Sequence, residues 1–443
     1  RSTLFPYTTL FRSVRYRVYS CEMTVRNNWV DTGFAMLNGA PTFLTLAGSA
    51  PRPHEVTIEK PAGWSTVSTA LEPVAGRADT YRADDYDTLV DSPITIGNPL
   101  TRRFTVDGRP HTLVFGGDHQ FVDADRAAAD VEKIVQAAGR VMGRYAYPHY
   151  HFLNMVTGSG GGLEHKNSFL TMSNLYITRT RGAYLGWLSL VAHEYFHNWN
   201  VKRLRPVELG PFDYETERQT TMLWVAEGFT DYYGDLLVRR AGLYSDTEYL
   251  GVLSGAITAV QGTPGRQVTP VNMASYDTWI KQYRPDENTA NTTVDYYPKG
   301  AVIAFLLDAK IREATKGAKT LDDAMALYGR LGVDVVKTGY VADAGGIIAP
   351  GDAAGRRRME WHDGQRMAQH HLKVVETAAR NHVAVNAHEP IKDTGLRRTY
   401  PNWVGREGAR GMEYNAWGAF ANGPDHEPTL VYTRMLSGPM DFT

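Results

Sequence analysis

Three residues in the segment Val191–Trp199 have the types and the spacing to bind a metal ion. His193, Glu194 and His197 form the pattern HExxH, in which the two histidines are four residues apart. The apolar run before them predicts a buried helix, on which both histidines point the same way. Two such imidazoles can hold a zinc ion, with Glu194 beside the metal's water as general base. HExxH alone is short enough to recur by chance.

A second predicted helix, from Met222 to Tyr233, offers a third ligand. Glu227 and Asp231 are four residues apart and share a face of this helix. An ionised carboxylate among apolar neighbours is costly to bury unless it is paired or bound to a metal. Glu227 therefore fits a third zinc ligand that leaves one position open, as in a catalytic site. Asp231 can accept the spare imidazole N–H of His193. The alternative is a solvated helix face.

Length, composition and charge exclude several classes of protein. The 443 residues are 43% hydrophobic and 21% charged, which is typical of a globular protein with several domains. The 48 acidic and 47 basic residues nearly cancel, so bulk charge does not favour nucleic acid or an anionic membrane. The single cysteine, Cys21, excludes an internal disulfide framework, and no apolar run reaches membrane-spanning length. The oligomeric state is not indicated.

The N-terminal part of the chain predicts a separate β domain. Residues 1–13 resemble a translated sequencing adapter and are excluded from the fold. Residues 14–116 contain short β-rich runs separated by turns, including a hairpin within Phe104–Phe115, and predict a β-sandwich. The chain begins at Arg1 without a methionine, so a signal peptide could precede it, and a periplasmic or secreted location is the expectation.

The predicted elements then change twice. Residues 117–245 alternate helices and strands around HExxH, and residues 246–330 are mostly helical. Residues 331–443 contain an apolar strand at Leu331–Lys337, a helix at Arg366–Arg380 and a strand at His382–Asn386. These units predict part of a β/α barrel, which they are too few to close.

Two further residues could contribute to a site. Glu164 follows a glycine-rich turn, residues 158–162, that lacks the Gly-Lys-Ser/Thr and the opening helix of a phosphate-binding loop. We therefore discount a nucleotide site. Tyr297 lies at the mouth of a helix that tolerates Pro298 in its first turn, and it could point into a cleft or serve only in packing.

Four motifs in order resemble those of the glycyl aminopeptidase family (peptidase family sixty-one). They are Gly161–His165, His193–Trp199, Trp224–Asp231 and Tyr297–Gly300. The resemblance covers about residues 14–330 and implies a thermolysin-like α+β zinc peptidase domain with a helical C-terminal part, preceded by a β domain. Family members usually continue into a PDZ-like domain, which is missing here.

This resemblance assigns roles residue by residue. It implies that His193, His197 and Glu227 bind zinc and that Glu194 is the general base. Glu164, which follows Gly161 and Gly162, corresponds to the residue that holds the substrate's α-amino group. Tyr297 corresponds to the residue that stabilises the oxyanion.

The C-terminal part resembles a different family, glycoside hydrolase family ninety-seven. The matching segments include Val335–Tyr340, Asn386–Pro390 and Arg406–Asn415. The resemblance implies Glu413 as general acid, Glu389 as base and Glu407 as calcium ligand. A glycosidase needs two carboxylates at a set separation across the sugar, and the rest of that barrel is absent.

Three hypotheses follow for function. The first is a zinc aminopeptidase acting on peptides with a small N-terminal residue, glycine or alanine. The second is an α-glycosidase-related chain whose barrel fragment is inactive, and the third is a non-catalytic chimera. A misassembled metagenomic reading frame is the simplest account of an adapter-like start joined to two unrelated families.

Overall fold

The structure is a computed structural model. It describes residues 13–46, 52–210 and 212–331, and then 335–338, 347–349, 358–360, 364–380, 383–388, 390–391, 395–411, 422–437 and 440. The chain divides into two compact units, residues 1–330 and 331–443. None of the helices in the described ranges combines the length and the apolar character needed to span a bilayer.

The N-terminal region is rich in β-sheet. Its strands are β1 (Trp29–Val30), β2 (Ala35–Leu37), β3 (His54–Thr57), β4 (Thr66–Ser68), β5 (Glu72–Pro73), β6 (Thr80–Ala83) and β7 (Ile94–Gly97). They form two antiparallel sheets with the orders β1-β2-β7-β4 and β3-β6-β5. Side chains of both sheets share one core, which also takes in Leu89 of the short helix α1 (Tyr86–Val90). Alternating apolar residues thus face a common interior.

The hairpin of β8 (Leu100–Val106) and β9 (Arg109–Gly117) lies outside these two sheets. It turns at Asp107 and Gly108, which both have positive φ, as an Asp-Gly hairpin requires. The prediction that it belongs to the N-terminal sandwich is wrong, because β9 pairs in parallel with β10 (Tyr150–Val156). Local alternation predicts a strand but cannot choose its partner.

The hairpin instead forms one side of a five-stranded mixed sheet with the order β11-β12-β10-β9-β8. Its other members are β11 (Gly161–Glu164), an antiparallel edge strand, and β12 (Ser168–Ser173). Helices α2 (Ala124–Met142) and α3 (Arg181–Phe196) share its principal hydrophobic core. The apolar residues of α2 recur at helical spacing, and they are buried.

A helical region completes the first unit. It contains α4 (Leu223–Ala226), α5 (Gly228–Arg240), α6 (Asp246–Gly262), α7 (Val271–Tyr276), α8 (Thr289–Thr292), α9 (Tyr296–Ala314) and α10 (Leu321–Leu331). The single helix predicted over Met222–Tyr233 is divided at Glu227 into α4 and α5. Buried tyrosines of α5 connect it to α9 and α10, since Tyr232 donates to Asp308 and Tyr233 to Asp322, each at 3.0 Å.

The second unit has an open sheet in its described residues. Strands β13 (Val335–Thr338), β16 (Ala384–Ala387) and β17 (Trp403–Arg406) pair in parallel, and β14 (Ile347–Ala349) pairs with β15 (Arg358–Glu360). Helix α11 (Gln365–Arg380) packs on β16 through Met367, Val375 and Val385; α12 (Leu396–Thr399) and α13 (His426–Tyr432) follow. The predicted β–α–β order is present, but these described strands do not close a barrel.

Candidate metal centre

Three side chains from two helical segments converge on one point. The Nε2 atoms of His193 and His197 are 2.9 Å apart. The Oε2 atom of Glu227 is 3.4 Å from the first and 3.1 Å from the second. All three side chains are largely buried, with exposed fractions of 12%, 1% and 15%. Buried groups at such distances must share a cation, either a proton or a metal ion.

The other nitrogen of each imidazole already has a partner. His193 Nδ1 donates to Asp231 Oδ1 at 2.8 Å, and His197 Nδ1 donates to the Asn200 carbonyl at 2.7 Å. A carboxylate and a carbonyl can only accept, so both rings carry their proton on Nδ1 and direct the Nε2 lone pair towards the other ring. Asp231 thus contacts His193 in the manner expected from its spacing.

This arrangement fits zinc. Two atoms bound about 2.1 Å from a tetrahedral zinc ion lie roughly 3.4 Å apart, close to the separations among these three ligand atoms. Two nitrogen ligands and one carboxylate are the donor set of a catalytic zinc site with one open position. A zinc ion held there would supply a Lewis acid that polarises a carbonyl group and acidifies a water molecule.

The local sequence explains why the ligands converge. Helix α3 begins at the N-cap Thr180, whose hydroxyl accepts from Ala183 N, and His197 is its C-cap. Beyond it, the Asn200 side chain donates to the carbonyls of Val225 and Ala226, immediately before Glu227. Asn200 therefore orients His197 with its carbonyl and holds the Glu227 backbone with its amide. No spacing rule pointed to this residue.

Glu194 lies beside the three ligand atoms without being one of them. It is only 5% exposed, and its Oε2 atom is buried with no hydrogen-bond partner among the described residues. Burial raises the pKa of its carboxyl to about 7; the two histidines oppose this rise, and Glu164 and Glu227 add to it. A buried acceptor that exchanges a proton near neutral pH suits a general base.

Glu164 lies at the end of the edge strand β11, close to Glu194 and His197. One oxygen of Glu164, one of Glu194 and a ring nitrogen of His197 all lie within 4.8 Å of one another. The two preceding glycines make this close approach feasible. Gly161 has φ +109°, and a side chain at Gly162 would collide with the Glu194 carboxylate.

Tyr297 stands in the first turn of α9, opposite the HExxH helix. Its amide donates to the N-cap Asp295 at 2.9 Å, and its ring stacks near His193 with the ring centroids 6.2 Å apart. Burial and the nearby Glu227 raise the pKa of Tyr297 far above its usual value. Its hydroxyl therefore stays protonated and can donate a hydrogen bond.

Backbone contact fixes α9 against the Glu227 segment. A Cβ atom added to Gly228 would overlap the backbone of Gly300, and one added to Gly300 would overlap the Trp224 carbonyl. Both glycines belong to the motifs that carry the sequence resemblance. Both positions need glycine because there is no space for a side chain, and not because the backbone adopts an unusual conformation.

Two further residues were not predicted. Asp91, between α1 and β7, forms an ion pair with Lys202 at 2.6 Å and accepts from the Lys166 amide at 2.8 Å. Tyr283, between α7 and α8, places its hydroxyl 3.1 Å from that of Tyr297. Neither residue lies in a recognisable motif. The contacts of each are made by the tertiary fold, so the sequence did not indicate them.

The glycosidase-type residues are described only in part. Glu389 and Glu413 lie outside the described residues. Glu407 is largely buried, and its Oε2 atom is 3.3 Å from His388 Nδ1. The roles expected for these three residues remain predictions.

Comparison with known families confirms both sequence resemblances. A model of the peptidase M61 N-terminal domain matches residues 11–98, and one of the M61 glycyl aminopeptidase family matches residues 186–303. A glycoside hydrolase 97 model matches residues 280–409, so its match overlaps the peptidase match over residues 280–303. The chain is thus similar to one family in its first unit and to the other mainly in its second.

The chain is also similar to solved and curated proteins of both kinds. The crystal structure of an aminopeptidase N family protein from Idiomarina loihiensis is 32% identical, with a TM-score of 0.68, over 71% of this chain and 55% of that one. A glycoside hydrolase family 97 enzyme from Pseudoalteromonas sp. strain K8 is 60% identical over 27% of this chain and 18% of that one, with a TM-score of 0.24. A retaining alpha-galactosidase from Bacteroides thetaiotaomicron is 32% identical over 82 residues, 12% of its length. The chain therefore spans about half of the similar aminopeptidase structure and a small part of the glycosidases.

Proposed function

We propose that this protein is a zinc-dependent aminopeptidase that removes a small N-terminal residue, glycine or alanine, from peptides. The observation that carries the proposal is the convergence of His193, His197 and Glu227 with two further carboxylates, those of Glu194 and Glu164, in one buried cluster. The peptidase part of the proposal is supported by the family matches in the first unit. The preference for glycine or alanine rests on the resemblance to glycyl aminopeptidases.

The chain's own residues supply the steps of peptide hydrolysis. Glu194 accepts a proton from the attacking water and passes it to the leaving amine, since its pKa lies near neutrality. Tyr297 donates its hydroxyl proton in a hydrogen bond to the oxyanion that develops on the peptide carbonyl. Glu164 pairs with the substrate's free ammonium group and sets the register of the scissile bond.

Metal removal tests the proposal directly. Treatment with a chelator should remove one zinc ion per chain together with hydrolysis of glycyl-p-nitroanilide, and added zinc should restore both. His197→Ala should lose the metal, whereas His119→Ala, a histidine outside the cluster, should retain it. Metal content by mass spectrometry and the rate of nitroaniline release are the measurements. Zinc that is bound without any turnover would mean a structural site and refute the proposal.

Glu164→Ala should reduce kcat/KM for free-amine peptides by about tenfold to a hundredfold. A charge-assisted hydrogen bond in partly desolvated surroundings contributes roughly 1.5–3 kcal/mol, and this range corresponds to that loss of transition-state binding. An N-acetylated peptide has no ammonium group, so it should be a poor substrate for the parent protein and lose little more in the variant. The measurement is kcat/KM on a glycyl amide and on its N-acetyl analogue.

Glu164→Gln is the matched control, because it keeps the size of the side chain and removes its charge. It should behave like the alanine variant on the free-amine substrate. Equal losses on the acetylated and free substrates would show that Glu164 only supports the end of β11. The proposal would then reduce to a zinc peptidase without exopeptidase character.

A further inference from the structure

Tyr283 brings a second hydroxyl group to the candidate oxyanion donor. Its Oη atom is 3.1 Å from that of Tyr297. The residue lies between α7 and α8, and 42% of its surface is exposed. Its ring is held by a stack with Trp279, at 5.5 Å between centroids, and by the guanidinium of Arg26, 5.5 Å from the ring centroid. These ring contacts are independent of the hydroxyl.

The segment that carries Tyr283 is anchored to the first turn of α9 by other side chains. The hydroxyls of Thr278 and Tyr296 are hydrogen-bonded at 2.9 Å, and both residues are almost fully buried. The Gln282 side chain hydrogen-bonds Asp295, the N-cap of α9. The segment is therefore held in place without the contact between Tyr283 and Tyr297.

We propose that Tyr283 is a positioning residue that orients the Tyr297 hydroxyl for the oxyanion. This inference rests on the proposed function. A tyrosine hydroxyl has one proton to donate and lone pairs that can accept. If Tyr297 donates its proton to the oxyanion, its contact with Tyr283 requires Tyr283 to be the donor.

The direction of this hydrogen bond has two consequences for catalysis. Accepting from Tyr283 restricts rotation of the Tyr297 hydroxyl, so its proton points away from Tyr283 before the substrate arrives. A hydroxyl that accepts a hydrogen bond is also polarised and becomes a stronger donor. Both effects act mainly on the transition state, where the negative charge develops, and not on substrate binding.

A double-mutant cycle with Tyr283→Phe and Tyr297→Phe tests the inference. Tyr283→Phe keeps the ring and its contacts, and should reduce kcat on a glycyl amide about fivefold to tenfold, the contribution of one hydrogen bond, with KM changed less than twofold. Tyr297→Phe should reduce kcat about a hundredfold to a thousandfold. The double variant should be no slower than Tyr297→Phe alone, because Tyr283 acts through that hydroxyl. A further loss of fivefold or more in the double variant would overturn the inference.

Thr278→Val is the control for loop anchoring. It removes the buried hydroxyl contact with Tyr296 and leaves the contact between Tyr283 and Tyr297 in place. This variant should keep kcat within twofold of the parent value. If it loses as much kcat as Tyr283→Phe, the Tyr283 hydroxyl serves only to anchor the segment, and the inference is wrong.

Inhibitor binding separates a failure of this inference from a failure of the proposed function. A phosphinic glycyl peptide imitates the tetrahedral transition state, and Tyr283→Phe should weaken its binding to zinc-loaded protein by the same fivefold to tenfold factor. Binding of glycinamide, which presents no oxyanion, should not change. Unchanged phosphinate affinity in this variant would reject the role of Tyr283 even if the parent protein is an active peptidase. A parent protein with neither phosphinate binding nor turnover would reject the proposed function and this role with it.

Discussion

Replacing Glu194 with glutamine is expected to leave one zinc ion bound per chain while kcat on a glycyl amide falls by about 10²–10⁴-fold. The variant keeps the shape of the side chain and the three ligand atoms of His193, His197 and Glu227. It removes a carboxyl group that is buried beside the ligands and whose pKa is raised to about 7. The variant should therefore keep metal binding and lose proton transfer.

Two measurements on the same preparation check this expectation. Metal content by mass spectrometry should equal that of the parent protein, and His197→Ala should define the metal-free limit. The rate of nitroaniline release then reports turnover. Loss of zinc from Glu194→Gln would contradict the assignment, because it would make Glu194 a ligand. Turnover within tenfold of the parent rate would also contradict it.

Asp91→Asn is expected to reduce the free energy of unfolding of the first unit by about 3 kcal/mol. The carboxylate forms an ion pair with Lys202, and the two side chains are only 17% and 15% exposed. It also accepts from the Lys166 amide and contacts His165, so it connects the N-terminal region to the loop after Glu164. The asparagine variant leaves the ammonium of Lys202 largely buried without a counter-charge.

Urea unfolding of the parent and three variants tests this effect. Glu55→Gln breaks an exposed ion pair with Arg77 and should change stability by less than about 1 kcal/mol. Adding Lys202→Met to Asp91→Asn should recover part of the loss, because it removes the unpaired charge. Equal stabilities for Asp91→Asn and Glu55→Gln would show that the Asp91 pair has no special role.

The same ion pair predicts a dependence of stability on pH. Burial alone would raise the pKa of Asp91, but Lys202 and His165 lower it well below its usual value. A carboxyl with a depressed pKa in the folded state contributes stability above its unfolded pKa, about 3.9, and loses this contribution as the pH falls through the folded value. The difference in stability between parent and Asp91→Asn should therefore shrink below about pH 4.

The sequence predicted those residues of the centre that must be a fixed number of positions apart to act together. The separations of His193 from His197, and of Glu227 from Asp231, follow from one helical turn, and in the structure Asp231 accepts from His193. Tyr283, Asp91 and Asn200 could not be found in this way. They lie in distant or irregular segments, and tertiary packing decides which residues they contact.

The fold also contains a feature that the sequence alone could not predict. The Asp-Gly turn predicted the hairpin of β8 and β9. However, the alternation of apolar and polar residues along a strand is the same in a sandwich and at the edge of a mixed sheet. Only the parallel register of β9 with β10 decides between them, and that register depends on residues about 40 positions away. In the second unit, the described strands and helix follow the predicted order, whereas two of the three glycosidase-type residues lie outside the described ranges.

The contact between Gly228 and Gly300 sets, through the main chain alone, the spacing between two of the proposed functional groups. Glu227 directly precedes the first glycine, and Tyr297 lies one turn before the second. Because two backbones touch at this point, the offset between the candidate metal ligand and the hydroxyl does not depend on side chains that can drift in size between related sequences. Engineering of substrate preference can therefore vary the surrounding helix residues, but a mutant library should hold both glycines constant. A single methyl group at either position would move the Glu227 carboxylate and the Tyr297 hydroxyl apart.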